Sequence, residues 1–264
     1  MKHVVMFSGG IGSWATAKRV VERYGTDDLT LLFTDTLIED EDLYRFLDEA
    51  ASNLGVPVTR LAEGRDVWQV FNDERFLGNS RIDPCSKILK RQMADRWLKA
   101  NCDPVHTRVY VGIDWSESHR FIRLAARRWE AGWTYCAPLC EAPYLLRNQM
   151  FQWLRDEGIA PPRLYGFGFS HNNCGGFCVK AGKGHFARLL KAFPDRYAYH
   201  EAQEQKIRAI LGDVSIMTDR DGDKKIPLTM QAFRERVEAG KQIDMFDIGG
   251  CGCFIDDDEA TTGV

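Results

Sequence analysis

No apolar run in the 264-residue sequence approaches the roughly 18–20 residues that a membrane-spanning helix needs. Strong charge of either sign is missing too. Lys and Arg number 35 against 38 Asp and Glu, a net charge of -3, so no general attraction to nucleic acid or to an anionic membrane is expected, although local basic patches are compatible with it. The opening stretch MKHVVMFSGG has too short an apolar run for a signal peptide, and its glycines interrupt that run. These absences lead to the expectation of a cytoplasmic protein without a membrane partner. There is no internal repeat and no linker that demands two independent domains. An apolar fraction of 44% excludes a disordered chain, and the length suits one large α/β domain or one with a smaller appendage.

Two further absences concern nucleotide binding. The glycine-rich turn Ser8-Gly9-Gly10-Ile11-Gly12-Ser13 is not followed by a Lys-Ser/Thr pair, which excludes a Walker A loop, and its spacing is not Gly-x-Gly-x-x-Gly. What is present is an apolar strand, a turn of small residues, then a helical pattern over 13–24. That geometry suits phosphate: glycines allow close backbone approach, and a helix N-terminus offers amide N–H groups and a favourable dipole.

The first half alternates short apolar segments (3–7, 29–35, 56–61, 108–114) with helical patterns (13–24, 39–53, 87–100, 117–131). Buried parallel strands and crossover helices read this way, so a doubly wound parallel sheet is expected. Ligands in such sheets lie beyond the carboxyl ends of the strands, where both Ser8–Ser13 and Thr34–Thr36 fall. From about residue 140 the character changes. The segment 160–185 is rich in Gly, Pro, Asn and Cys and reads as an ordered loop. Helices at 183–192 and 198–211, a hairpin over 212–227 and a helix at 229–240 follow it. The expected division is a nucleotide-binding α/β domain over 1–140 and a Cys-containing helical and loop region over 141–264 packed on it.

The turn Ser8-Gly9-Gly10-x-x-Ser13 resembles the PP-loop of ATP pyrophosphatases, the adenine nucleotide alpha-hydrolase-like superfamily. Four further segments are similar to phosphoadenosine phosphosulfate (PAPS) reductase-like proteins: FTDTLIEDEDLYRFLDEAA (33–51), DPCSKILKRQMADRWL (83–98), VGIDWSESHRFIR (111–123) and PPRLYGFGFSHNNCGGFC (161–178). The resemblance covers about residues 1–180. It implies a Rossmann-like α/β fold in which Ser8, Gly9, Gly10, Ile11, Gly12 and Ser13 cradle the β- and γ-phosphates of ATP, with Mg²⁺. The departure is Gly12, where the usual loop carries Asp. Either the metal duty moves elsewhere, with Asp35 as the natural stand-in, or the case for ATP hydrolysis weakens. Thr36, Lys87 and Arg120 complete the candidate nucleotide contacts, and Asp35, Arg120 and Cys85 are the candidate catalytic groups. Arg suits bidentate phosphate contacts; Arg120, Arg123 and Arg127 are spaced to share a helical face, for which a solvated surface is the alternative. Lys87 and Lys90, one helical turn apart, suit phosphate binding or a solvated surface equally. His119 reads as a base or as a structural histidine.

The eight cysteines stand at 85, 102, 136, 140, 174, 178, 251 and 253. In a reducing compartment such clusters bind metal or do redox chemistry more often than they form structural disulfides. Cys174-x-x-x-Cys178 and Cys251-x-Cys253 are spaced so that both thiolates of each pair can face one centre. Soft thiolates select a [4Fe-4S] cluster or Zn²⁺, with buried unliganded cysteines as the alternative. Cys85, at a helix start, is a further ligand or a reactive thiol. Cys102, Cys136 and Cys140 read as structural. The function that the resemblance implies is ATP-dependent adenylyl transfer coupled to sulfur transfer, with a nucleotide or nucleic-acid acceptor and a sulfur donor protein as partners. The alternatives are a PAPS or adenylyl-sulfate reductase, whose nucleophile is Cys251 or Cys253, and a non-catalytic nucleotide-sensing module with structural zinc.

Overall fold

A computed structural model describes residues 1–250, the side chain of Asp221 excepted. The described residues form two compact units, and each is built from discontinuous pieces of chain.

The first unit comprises residues 1–35, 39–63 and 91–163. Its strands are β1 (Lys2–Met6), β2 (Leu29–Asp35), β3 (Val58–Ala62), β4 (Thr107–Tyr110) and β5 (Thr134–Cys136). They form one sheet in the order β3-β2-β1-β4-β5, and every pairing is parallel. Helix α1 (Ile11–Tyr24) follows β1 and α2 (Glu41–Leu54) follows β2. Val4, Val5, Leu31 and Val109 are fully buried; central parallel strands lose water on both faces, which is why they read as unbroken apolar runs. The doubly wound Rossmann-like sheet is therefore present. Between β1 and β4 the strand order reverses, and in open parallel sheets such a switch point is where ligands bind, beyond the carboxyl ends of the strands.

The second unit comprises residues 36–38, 64–90 and 164 onward. It holds helices Val67–Asp73, Lys183–Ala192, Pro194–Leu211 and Met230–Glu238 and an antiparallel hairpin of β6 (Met217–Asp221) and β7 (Lys224–Leu228). Trp68, Phe71, Leu89, Phe177, Phe186, Tyr197, Met230 and Phe233 build its core. The Glu204 carboxylate, fully buried, accepts the Ile216 N–H at 3.1 Å and the Met230 N–H at 2.6 Å, so one side chain ties the long helix to both flanks of the hairpin. Burial raises its carboxyl above the ordinary range.

This division differs from the one expected at residue 140. Helix Arg147–Asp156 stays with the sheet, because Trp153 packs edge-on against Trp14 at 5.2 Å and Glu157 pairs with Lys18 at 2.7 Å. Residues 64–90 go instead to the second unit, whose core takes Val67, Trp68, Phe71 and Leu89. Among the described residues no helix is long and apolar enough to cross a membrane.

Two histidines of the second unit generate a pH prediction. His200 accepts the Trp68 indole N–H at 3.0 Å and stacks on Phe177 at 3.8 Å; His185 bonds the Gly176 carbonyl through Nε2 at 2.7 Å. Burial pushes His200 down to about 3 and His185 down to about 4. A histidine depressed in the fold contributes stability above its unfolded value of roughly 6.5 and loses it as pH falls towards the folded value. The midpoint of urea unfolding should therefore drop between pH 6.5 and about 4, at up to about 1.4 kcal/mol per pH unit for each histidine. His200→Gln should flatten that slope; an unchanged slope would remove His200 as its cause.

Candidate active site

The glycine turn lies at the carboxyl end of β1 and leads directly into α1. Gly9 has φ +75°, in the left-handed region, and a methyl group there would meet Leu43 of α2 at 2.9 Å. The Ser13 hydroxyl is turned into the loop itself: it donates to the Gly10 carbonyl at 2.8 Å and lies 3.2 Å from the Gly10 N–H that it accepts. The first bond of α1 runs from the Trp14 N–H to the Gly10 carbonyl at 3.1 Å. The amides of Ile11, Gly12 and Ser13 thus precede the helical ladder at the positive end of the dipole. Ser8, Gly10 and Gly12 are half-buried, whereas Gly9, Ile11 and Ser13 are buried.

Gly12 owes its identity to a contact that the sequence does not reveal. A Cβ at 12 would lie 2.8 Å from the backbone oxygen of Gly112, and a Cβ at 112 would lie 2.7 Å from the amide nitrogen of Ser13. The two backbones touch where α1 begins and where the chain leaves β4. An aspartate at position 12 has no room there.

Asp35, the stand-in, ends β2 and is fully buried. Its two oxygens accept from the Tyr44 hydroxyl at 3.1 Å each, and it is paired with the guanidinium of the half-exposed Arg60, which also lies over the Tyr44 ring at 4.6 Å. Burial and the neighbouring carboxylate push the Tyr44 phenol well above its ordinary value. Asp40, also buried, caps α2 by accepting the Asp42 N–H at 3.0 Å and holds Arg163 through two bonds of 2.7 and 3.0 Å. Beyond β4, Asp114 caps a short turn by accepting the Ser116 N–H at 2.8 Å. The next helix, Ser118–Glu130, opens with Arg120 paired to Glu117. Arg128 pairs with Asp95 at 2.7 Å and Arg123 is exposed, so the arginines divide between different surroundings rather than forming one basic face.

At the switch point the turn Ser8–Ser13 meets Gly112, and the segment from Gly112 to Arg120 continues from there, all within the first unit. Thr36 and Lys87 belong to the second unit. Lys87 and Lys90 do not share a surface. The helix is π-helical over Lys87–Gln92, which changes the angular spacing; Lys87 is exposed and Lys90 is 4% exposed. Tyr44, Arg60 and Gly112 were not legible as site residues, since each acts on a partner far away in sequence.

Lys90 belongs to a second cluster. Its ammonium donates to Cys174 Sγ at 3.6 Å beside a cavity of about 20 Å³ lined by Thr36, Asp83, Cys85, Ser86, Cys174 and Cys178 among others. That volume admits one water-sized group, and a buried ammonium favours an anionic sulfur. Cys174 has φ +54° and is followed by Gly175 at +58° and Gly176 at +82°, a left-handed turn that is costly for a residue with a Cβ. Cys85, Cys174 and Cys178 thus meet at one cavity. Cys251 and Cys253 lie outside the described residues, and among the described residues no group of three or more His, Cys, Asp or Glu side chains is arranged to hold a metal ion. Cys140 donates to the Ile113 carbonyl at 3.5 Å, and burial raises the thiols of both Cys136 and Cys140, in keeping with structural roles.

The Gly12–Gly112 contact makes a direct prediction. Gly12→Asp should not supply a metal ligand. It should destabilise the protein by about 1–3 kcal/mol through overpacking, and Gly112→Ala should cost a similar amount. Urea unfolding of both variants checks this; a Gly12→Asp protein as stable as the parent would show that the backbones separate freely.

No protein-family model matches the chain, and no curated protein matches it. Solved structures similar to it include a phosphoadenylyl-sulfate (PAPS) reductase from Candida auris, in a phosphate complex. That likeness has 14% identity, 64% coverage of this chain, 78% coverage of that chain and a TM-score of 0.42. Another is an NH3-dependent NAD synthetase from Campylobacter jejuni, in complex with the nitrate ion. Here the identity is 11%, the coverage 92% of this chain and 88% of that chain, and the TM-score 0.40.

Proposed function

We propose that the chain is an ATP-dependent adenylyl-transfer enzyme of PAPS reductase-like type that serves sulfur transfer to a nucleotide or nucleic-acid acceptor. The observation that carries this reading is the glycine loop seated on the N-terminus of α1 at the switch point, with Arg120 in the first turn of the helix that follows β4. An acceptor oxygen attacks the α-phosphorus, the bond to the bridging oxygen breaks, and the electron pair leaves with pyrophosphate. The first-turn amides of α1 hold the departing phosphates, and Arg120 offsets the charge that develops. A sulfur nucleophile from the donor then displaces AMP from the acceptor, taking the place of its oxygen.

Mg²⁺, when bound, neutralises phosphate charge. Asp35, whose buried carboxylate is paired with the half-exposed Arg60, is the residue that would hold it. Thr36 and Lys87 are assigned to nucleotide contact on the same reading. Cys85, Cys174 and Cys178 are assigned to sulfur handling, with Cys174, Cys178, Cys251 and Cys253 as the set for an iron–sulfur cluster or zinc. Iron, acid-labile sulfide and zinc measured on anaerobically purified protein decide its nature: about four irons with matching sulfide select the cluster, zinc alone a structural site, and neither leaves the thiols to act without metal.

The test of the nucleotide reading is calorimetric. ATP with Mg²⁺ should bind at least about tenfold more tightly than AMP, because a charge-assisted contact to the outer phosphates is worth roughly 1.5–3 kcal/mol. Arg120→Met should weaken ATP binding by about tenfold or more and slow pyrophosphate release. Equal affinity for ATP and AMP would overturn the proposal. Release of sulfite from an adenylyl sulfate in the presence of a dithiol, with no pyrophosphate formed from ATP, would select the reductase.

A further inference from the structure

Two exposed aromatic rings meet on the first unit. Trp115 is 41% exposed and Tyr144 60%, and their ring centroids lie 6.0 Å apart. Trp115 follows β4 and Tyr144 follows β5, so both come after the strand ends where parallel sheets bind ligands. Trp115 stands three residues past Gly112, whose backbone touches the start of α1. Three residues span at most about 11 Å, so the indole is carried close to the phosphate turn.

The chain that bears Tyr144 is open to water and yet firmly held. Residues 141–149 are exposed apart from half-buried Leu145. Arg19 of α1 donates to the carbonyls of Pro138 at 2.7 Å, Glu141 at 3.2 Å and Pro143. Arg23 of α1 pairs with Glu141 at 2.9 Å. The Trp115 indole N–H donates to the Leu145 carbonyl at 3.0 Å. The polar atom of the indole is thereby engaged within the protein, which leaves the ring itself for a ligand. A loop that buries so little adds little to the core by being fixed. Fixing it presents its side chains in one arrangement, which lowers the entropy lost on binding.

The neighbouring charges suit an anion. Segments 112–120 and 138–149 hold three carboxylates. Asp114 caps its own turn, Glu117 pairs with Arg120, and Glu141 pairs with Arg23. Arg147, three residues after Tyr144, is solvent-exposed. Aromatic rings with a guanidinium close by in the chain suit a nucleobase and its phosphate. A small ligand bound alone is normally enclosed over most of its surface, whereas this pair is open. An open stacking surface suits a strand, which adds contacts along its backbone. The strand must be single, because a duplex keeps its bases stacked and paired.

We propose that Trp115 and Tyr144 form a stacking platform for an unpaired base of a single-stranded nucleic acid, whose phosphate Arg147 meets. This names the acceptor class of the adenylyl-transfer reading and rests on that reading for its part in turnover. Binding of the strand is independent of it.

The experiment is fluorescence anisotropy with the full-length chain and a labelled single strand of about 12 nucleotides, as DNA and as RNA. The wild type should bind one or both at least about tenfold more tightly than the matching duplex. Trp115→Ala and Tyr144→Ala should each weaken strand binding about tenfold, the loss of one stacked base. Tyr144→Phe keeps the ring and should bind as the wild type does. Arg147→Gln should lower the slope of log affinity against log salt by about 0.7, one phosphate of a single strand. Tyr144→Ala removes an exposed ring and should leave the urea midpoint in place, so lost folding does not mimic lost binding. Three results would each overturn the platform: no strand binding by the wild type, a duplex bound as tightly, or undiminished binding by both alanine variants. ATP binding with Mg²⁺ on the same proteins separates the sources of the base. It should be unchanged in both alanine variants; a tenfold loss there would assign the pair to the adenine of ATP and overturn the proposal. Strand binding as expected in a protein that binds no ATP supports the platform and sinks the adenylyl-transfer reading.

Discussion

The switch point of the first unit depends on the contact of two bare backbones, Gly12 in the first turn of α1 and Gly112 just past β4. Side chains on a helix and at a neighbouring strand end normally hold the two apart. Here each Cβ would sit under 3 Å from the backbone of the other segment, so the dipole of α1 is brought up to the switch point itself. The same closeness decides the chemistry of the loop. An aspartate would have no volume to occupy at position 12. Negative charge is found instead at the ends of the neighbouring strand and helix, on Asp35 and Asp40, both fully buried. Carboxylates without solvent need partners, and Arg60 with Tyr44 supplies them for one and Arg163 for the other.

How legible this was follows from the range of each interaction. Parallel strands buried on two faces must be apolar along their length, so β1, β2 and β4 announce themselves locally, as does a glycine turn between a strand and a helix. β5 is three residues long and helix Val67–Asp73 seven, too short for a period to emerge, although the Asp66 side chain that bonds the Trp68 and Gln69 N–H groups at 2.8 Å is a capping signal. The two compact units do not follow the division expected near residue 140, because each is discontinuous; a hydrophobic core that collects residues 64–90 with residues beyond 163 leaves no change of composition at its boundary.

The site residues divide the same way. Gly9, Gly10 and Ser13 belong to a local pattern, a glycine turn between a strand and a helix. Gly112, Arg60 and Tyr44 serve partners distant in sequence and carry no local mark. Lys90 was misjudged for a different reason: an α-helical spacing places it on a surface with Lys87, whereas the π-helical turn Lys87–Gln92 sends it inward to Cys174. A helix that widens for one turn gives up regular hydrogen bonding, and such turns recur where a side chain must be re-aimed.

In the second unit the unfavourable features converge on Cys174. The residue sits in a left-handed conformation that costs a side-chain-bearing residue of order 1 kcal/mol or more, beside an ammonium withdrawn from water. Neither feature helps folding on its own account. The surroundings hold both in place: His185 bonds the Gly176 carbonyl, Arg196 donates to the Gly175 carbonyl, and Phe177, next in the chain, stacks on His200. A thiol that only filled space would need no lysine and no strained turn, as half-buried Cys140 shows with its single bond to the Ile113 carbonyl. The strain at Cys174 is therefore better understood as the cost of aiming its sulfur into the cavity with Cys85 and Cys178, and the glycines at 175 and 176 as what lets the chain turn back once the sulfur is in place.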